Sequence, residues 1–377
     1  MRFRFIFMLV SGVILACPFS VWSAEFRCGQ SYEVVAGDTL GSISGKVYGS
    51  PVKYNLIFYA NRELLNEGPS VIRVGQKLRI PCEQTEADGQ AAAQAVIQAE
   101  TPPVSGSDAR LVAPVEMMDV NRPGYDGQQV VQLLTAGDYA PLTDQSLPQG
   151  GLITELVEQA LTATGTQFQL TWINDWSAHL DPLLKQKKYD MGFPWFYPGC
   201  PGKDALRCEF LFSKPVFEVL IVLFTRTDGP LVFENDSDLE GKRLCRPSGY
   251  FTHDLERVGR EWLSRKVIEL KQPQSVKDCF DLLLAGEVDG VTTDDFTGRD
   301  ALARLGYQDR IKQQEREISL EALSVIVHKT HPRATILINR VNQGLAALHE
   351  SGRYDEIMDR HLLAHWGRVE ALQPESR

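Results

Sequence analysis

The spacing of apolar positions along this chain of 377 residues changes several times, and each change marks an element. Phe5 to Ala16 is apolar without a period, preceded by Arg2 and Arg4 and followed by small residues at Val21, Ser23 and Ala24. A positive start, an apolar middle and a small-residue end predict an export signal peptide over 1–24. The run is too short for a spanning helix, which takes roughly 20 residues. Tyr32 to Val35 alternates as a strand does and runs into Gly37-Asp38-Thr39, where Thr39 is placed to cap a first helix. A second helix is predicted from Pro51 to near Asn61. A closing strand follows the turn at Gly75, over Lys77 to Pro81.

Residues 83–127 break this order. Glu83 to Arg110 holds no aromatic residue and is dominated by Ala, Gln, Glu, Pro and Ser, too polar to bury a core. It predicts a linker whose ends, as a flexible coil, stand roughly 30 Å apart. From 128 to 366 strands and helices alternate: a strand at Val130–Leu134, a helix at Ile153–Thr164 and a strand at Gln167–Trp172. A helix at Ala178–Lys187 and an apolar segment at Tyr189–Phe196 come next. Such alternation predicts a mostly parallel α/β sheet with covered faces. The apolar segments Val219–Phe224 and Leu323–Val327 are placed as two crossovers between lobes, giving one lobe from 128–224 and 326–366 and a second from 225–325.

Charge and cysteines narrow the setting. Losing Arg2 and Arg4 with the signal takes the formal charge from −10 to −12, and an acidic chain without a basic stripe argues against nucleic acid as a partner. Cys17, in Ile14-Leu15-Ala16-Cys17, resembles a lipoprotein cleavage site, but Pro18 directly after it favours plain secretion into the periplasm. Six cysteines remain: Cys28, Cys82, Cys200, Cys208, Cys245 and Cys279. An even number in an exported chain predicts disulfides, and they fall in three local pairs in that order. No Cys-x-x-Cys spacing occurs, so no metal or other cofactor is expected.

The first domain, 28–82, resembles the LysM family. Tyr32-Glu33-Val34-Val35-Ala36-Gly37-Asp38-Thr39-Leu40, Ala60-Asn61-Arg62 and Val74-Gly75-Gln76-Lys77-Leu78-Arg79-Ile80-Pro81 carry the likeness. It implies a βααβ fold and binding of N-acetylglucosamine glycan, in bacteria peptidoglycan. The groove implied lies between Gly37, Asp38, Thr39 and Leu40 on one side and the loop from Pro69, with Val71 and Ile72, on the other.

The larger domain resembles the amino-acid-type extracellular solute-binding proteins, family 3, with their two-lobed type 2 periplasmic-binding fold. Ala136-Gly137-Asp138-Tyr139-Ala140-Pro141-Leu142, Gly151-Leu152-Ile153-Thr154-Glu155-Leu156 and Phe212-Ser213-Lys214-Pro215 carry that resemblance in the first half. Leu239-Glu240-Gly241-Lys242-Arg243, Ser248-Gly249-Tyr250 and Gly352-Arg353-Tyr354-Asp355-Glu356-Ile357 carry it in the second. It implies a small amino-acid-like or amine ligand between the lobes, with Asp294 pairing its ammonium and Asp138 and Glu155 close by. Tyr139, Trp176, Trp195, Phe196 and Tyr197 give an aromatic lining suited to an apolar or cationic ligand face. Gly249, Tyr250 and Thr252 precede a predicted helix, where amides hold anionic groups. The family's carboxylate-gripping Thr-Pro-Glu-Arg is absent; Tyr197 to Cys208 replaces it, leaving Arg207, one residue out of register, as the nearest arginine.

Enzymatic chemistry finds no support. His361-Leu362-Leu363-Ala364-His365 lacks a third ligand and a base, and reads as a surface helix. There is no Gly-x-Ser-x-Gly, no phosphate loop and no spare cysteine nucleophile. The chain is therefore expected to be no enzyme but a peptidoglycan-tethered solute-binding protein, with an ABC permease as a partner. The alternatives are an envelope accessory or sensing protein with a degenerate cleft, and an enzyme acting on cell-wall fragments.

Overall fold

The computed structural model describes residues 28–82, 130–198 and 206–372, apart from 67, 70 and 138. The expected signal peptide at 1–24, the linker at 83–127, Asp138 and Cys200 lie outside the described residues. No described helix is long and apolar enough to cross a membrane.

The first domain pairs β1 (Ser31–Glu33) antiparallel with β2 (Lys77–Arg79), with α1 (Leu40–Tyr48) and α2 (Tyr54–Ala60) between them. Thr39 starts α1 through a capping box: the Ser42 amide donates to Thr39 Oγ1 and the Thr39 amide to Ser42 Oγ, both at 3.0 Å. Leu40 and Ile43 of α1 meet Leu56, Ile57 and Phe58 of α2 in a small core. Cys28 and Cys82 close the domain with a disulfide at a Cα separation of 4.8 Å, the pairing expected from their bracketing positions.

The larger domain is built on one nine-stranded sheet. On one side β3 (Val131–Thr135) lies parallel to β4 (Phe168–Trp172) and β5 (Met191–Phe196). On the other, β8 (Arg243–Cys245) lies parallel to β9 (Glu269–Lys271) and β10 (Gly290–Asp294). Two long antiparallel strands, β7 (Phe217–Arg226) and β11 (Ile311–His328), join the halves, and β6 (Phe210–Phe212) pairs with the end of β11. The fold is thus two lobes joined by two crossovers, each lobe parallel at its centre as the alternation predicts. The second crossover is much longer than the apolar segment Leu323–Val327. Its first part, with Gln313, Glu315 and Glu317, is too polar to read as a buried strand.

Helices cover both faces. α3 (Leu152–Ala163) buries Leu152, Ile153, Leu156, Val157, Ala160 and Leu161, one stripe at helical spacing. It begins at Gly151, whose φ of +97° suits glycine and where a Cβ would stand 2.7 Å from Leu142 O. α4 (Val276–Leu284) is capped by Ser275 and fastened to β8 by Cys245–Cys279, Cα atoms 5.5 Å apart. α5 (Asp295–Leu305), α6 (Ala334–Glu350) and α7 (Arg353–Ala371) complete the layers. The helix expected at Ala178–Lys187 does not form as one piece. A short turn at Trp176–Ala178 gives way at Asp181, whose φ of −137° is non-helical, just before Pro182.

His361 and His365, expected on a surface helix, are buried on α7. His361 Nε2 meets Glu155 Oε2 at 2.7 Å, and His365 is held down to about 3 by burial and by the charges of Arg368 and Arg304.

The two domains, expected to be joined through a linker, also touch. Their buried residues form one continuous cluster. The ring of Tyr59 lies 4.8 Å from that of Phe217 and 5.7 Å from that of Phe296. The apolar side of α2 thereby covers the back of the crossovers, so burial rather than chain connectivity sets where the first domain sits.

Candidate functional site

A cavity of about 450 Å³ opens between the lobes. Of the sequence-predicted residues, Tyr139, Trp176, Trp195, Phe196, Arg207, Gly249, Tyr250 and Asp294 line it. β10 delivers Asp294 at its C-terminal end, where it also caps α5: the Thr297 amide donates to Asp294 Oδ1 at 2.9 Å. Burial raises the Asp294 carboxyl above its ordinary value, against the lowering effect of hydrogen bonds from Thr297. An ammonium group brought beside it would favour the charged form and remove that penalty.

The first lobe contributes the aromatic wall. Trp195 meets Trp176 edge-on at 5.8 Å, and Arg207 stacks its guanidinium 5.5 Å from the Trp195 ring centre. Beneath them Leu134, Leu180, Leu184, Phe210 and Ile326 form a separate apolar cluster with Trp195, which fixes the wall from behind. His179 supports it, its Nε2 at 2.7 Å from Ile173 O, and burial lowers its basicity so that it stays neutral. Burial pushes the Tyr139 hydroxyl well above its usual range, so it remains a hydrogen-bond donor.

The second lobe contributes the expected loop with Gly249 and Tyr250, and also Arg246, which sequence reasoning missed. Arg246 is 1% exposed and donates to Asp254 through both outer nitrogens at 2.6 and 2.8 Å. It also donates to Phe251 O at 2.7 Å and to Thr292 Oγ1 at 3.0 Å. These bonds pin Ser248 to Phe251 against β10, and Asp254 balances the charge. Phe251 then meets Phe196 of the first lobe with ring centres 4.0 Å apart, closing one edge of the cavity. The spacing of Arg246 and Asp254, eight residues apart on a loop, carries no periodic signal. Only the fold pairs them.

Three predicted residues do not reach the cavity. Glu155 is buried between α3 and α7, where Arg360 Nη2 donates to Oε1 at 2.6 Å and His361 meets Oε2. Burial opposes its charge, but the bonds from His361 and Arg360 prevail and hold its carboxyl down to about 2. It joins helices and touches no ligand site. Tyr197 is half exposed and packs edge-on against Phe212. Thr252 lies past the lining loop, and the helix expected after it is a turn of His253–Glu256 only. Asp138 is outside the described residues. Cys208 is disulfide-bonded, while its expected partner Cys200 is likewise not described.

In the first domain Gly37 is exposed, while the Asp38 side chain is buried. The Asp38 carboxylate accepts from Tyr32 Oη at 2.8 Å, the Val35 amide at 2.9 Å and Lys46 Nζ at 2.7 Å. It closes the turn rather than facing outward. Leu40 is buried in the core, so of the expected groove residues Gly37, Thr39, Val71 and Ile72 keep exposed surface.

Residues 32–81 match the LysM domain family. A curated relative, "Potassium binding protein Kbp" of Escherichia coli O6:H1, is 52% identical over 52 residues, 14% of this chain and 34% of that protein. The chain thus spans about a third of the curated relative it matches, through the LysM segment. Among solved structures, the substrate binding protein of an amino acid ABC transporter is 22% identical, covering 62% of this chain and 98% of that one with a TM-score of 0.46. The periplasmic VFT2 domain of Bordetella pertussis BvgS is 16% identical, covering 63% and 93% with a TM-score of 0.47. An ancestral arginine-binding protein bound to arginine is 18% identical, covering 62% and 99% with a TM-score of 0.47. The two-lobed assignment itself rests on the strand order. Residues 32–81 thus match the LysM family, and the larger domain is two lobes, each parallel at its centre, joined by two crossovers.

Proposed function

We propose that this chain is an exported periplasmic binding protein held at peptidoglycan by its LysM domain, taking a small amino-acid-like or amine solute between its lobes. The observation that carries the reading is Asp294, a buried carboxylate in an aromatic-walled cavity between two lobes. Its anion pairs the ligand ammonium, Trp176, Trp195 and Tyr250 take the ligand's apolar or cationic face, and Arg207 stands where a carboxylate would be met. The LysM turn at Gly37 and the apolar shelf at Val71 and Ile72 take the glycan.

Delivery to an ABC permease is the transport form of this reading. A sensing role without transport is the second reading, and the LysM domain seated on the crossovers favours it, because a change in the cleft then reaches the wall-bound module.

The test is a thermal-shift screen of the mature chain against amino acids, amines and muropeptides. A ligand at 100 times its dissociation constant stabilises the fold by about 2.7 kcal/mol. Asp294→Asn is expected to abolish the shift. The reading fails if no solute shifts the protein, or if the shift survives in Asp294→Asn. Pull-down on insoluble peptidoglycan, with and without Val71→Asp, tests the tether independently.

A further inference from the structure

The LysM domain is anchored to both lobes at once. Toward the first lobe, Arg62 Nε pairs with Glu218 of β7 at 2.7 Å, and Arg79 Nη1 with Asp359 of α7 at 2.7 Å. Toward the second, Asn55 Nδ2 donates to Asp295 Oδ2 at 3.0 Å, and Gln313 Nε2 donates to the Tyr54 hydroxyl at 2.9 Å. Tyr59 sits between them: besides its contacts with Phe217 and Phe296, its hydroxyl accepts from the Leu220 amide at 3.3 Å. Gly68 of the same domain abuts the Glu317 side chain on β11.

One disulfide-closed module therefore grips both ends of the crossovers. Rotation of one lobe against the other about β7 and β11 would break one set of contacts or the other. Close-packed interfaces do not stretch to absorb such a rotation; they switch between discrete arrangements. Across the molecule, Phe196 of one lobe and Phe251 of the other touch with ring centres 4.0 Å apart, tilted 40° to each other, so the lobes meet at the cleft edge while the module is seated. The connection between the two sites is short, because Asp294 lines the cleft and Asp295, the next residue, carries the bond to Asn55.

We propose that the LysM domain is a brace on the hinge: seated, it holds the lobes in their closed arrangement, and when it leaves its seat the lobes open. The linkage is reciprocal, so anything that stabilises the closed cleft holds the LysM domain on its seat by the same free energy. The inference rests on the docking contacts and not on the identity of the solute.

Double electron–electron resonance tests it, since Cys28, Cys82, Cys208, Cys245 and Cys279 are disulfide-bonded and leave introduced cysteines free for spin labels. Labels at the exposed positions Gln169→Cys and Gln272→Cys report the distance between lobes, and Gln169→Cys with Lys77→Cys reports the seating of the LysM domain. In the parent chain each pair is expected to give one narrow distance. Combining Tyr59→Asp, Arg62→Glu and Arg79→Glu should spread the seating distance and add a longer inter-lobe population. Should Tyr59→Asp unfold the module, Arg62→Glu with Arg79→Glu alone, at partly exposed sites, is expected to give the same two changes to a lesser degree. An unseated LysM domain with an unchanged inter-lobe distance overturns the proposal. So does a module that stays seated after these contacts are lost, or a parent chain whose lobes already show the longer distance.

Discussion

Asn55 and Asp295 meet through one hydrogen bond of 3.0 Å in a buried interface, although 240 positions separate them. Around that bond, Asn55 Oδ1 and Asp295 Oδ1 have no hydrogen-bond partner among the described residues. A buried carboxylate with one neutral donor is costly when charged, and the chemistry of this pair has a measurable consequence.

Burial, with Asp294 nearby adding to it against the bond from Asn55, raises the Asp295 carboxyl to about 7. Its folded value lies above the unfolded one, so the fold binds its proton more tightly. The stability this group contributes is complete below the unfolded value near 3.8 and is lost as the pH rises through about 7. The chain's stability to thermal unfolding is expected to fall between about pH 4 and 7 by a part that Asp295→Asn removes. Equal pH dependence in parent and variant would refute this.

Glu155 is predicted to act on stability alone. Glu155→Ala leaves His361 buried without its anion, at a cost of about 3 kcal/mol in denaturant unfolding. Its carboxyl is depressed, so the stability it brings is present above its usual value of 4.5 and lost as the pH falls toward about 2. Solute affinity in Glu155→Ala should equal that of the parent; a loss of affinity at unchanged stability would return Glu155 to the binding site.

Gly344→Ala should be severe. A Cβ there would stand 1.9 Å from Ala160 O, where α6 crosses α3 backbone to backbone. The helices must part, at more than about 2 kcal/mol. A melting temperature unchanged by this substitution would show that the crossing is looser than described.

The disulfide Cys245–Cys279 closes a loop with a sequence separation of 34. Restricting the unfolded chain to that extent is worth about 4 kcal/mol. Replacing both cysteines with serine should lower stability by that order under oxidising conditions and make the residual effect of reductant smaller. Equal sensitivity of the two proteins to reductant would argue that the bond adds nothing.

Much of the architecture was legible because its signals are local. The Gly37-Asp38-Thr39 turn announces a capped helix, Val219–Phe224 announces a buried strand, and Cys28 and Cys82 bracket the domain they close. Asp294 was legible through the order of the motifs around it. Glu155 was misplaced for a physical reason: a carboxylate at a helix start looks the same in sequence whether its partner is a ligand or a distant helix. Arg360 and His361, some two hundred positions away, decided it. His361 and His365 misled in a related way: in sequence they read as surface, but Glu155 meets His361 and the rings of Phe296 and Trp366 enclose His365.

By itself the sequence determined many of the helices and strands and the cysteine pairs that are described, because hydrophobic period, turn chemistry and bracketing act over short stretches. Only the tertiary structure decided which polar groups face the cleft and which face each other. The pairing of Arg246 with Asp254, the Phe196–Phe251 contact and the seat of α2 on the crossovers arise where separate elements meet. Burial free energy depends on what lies opposite a side chain, and no local pattern records that.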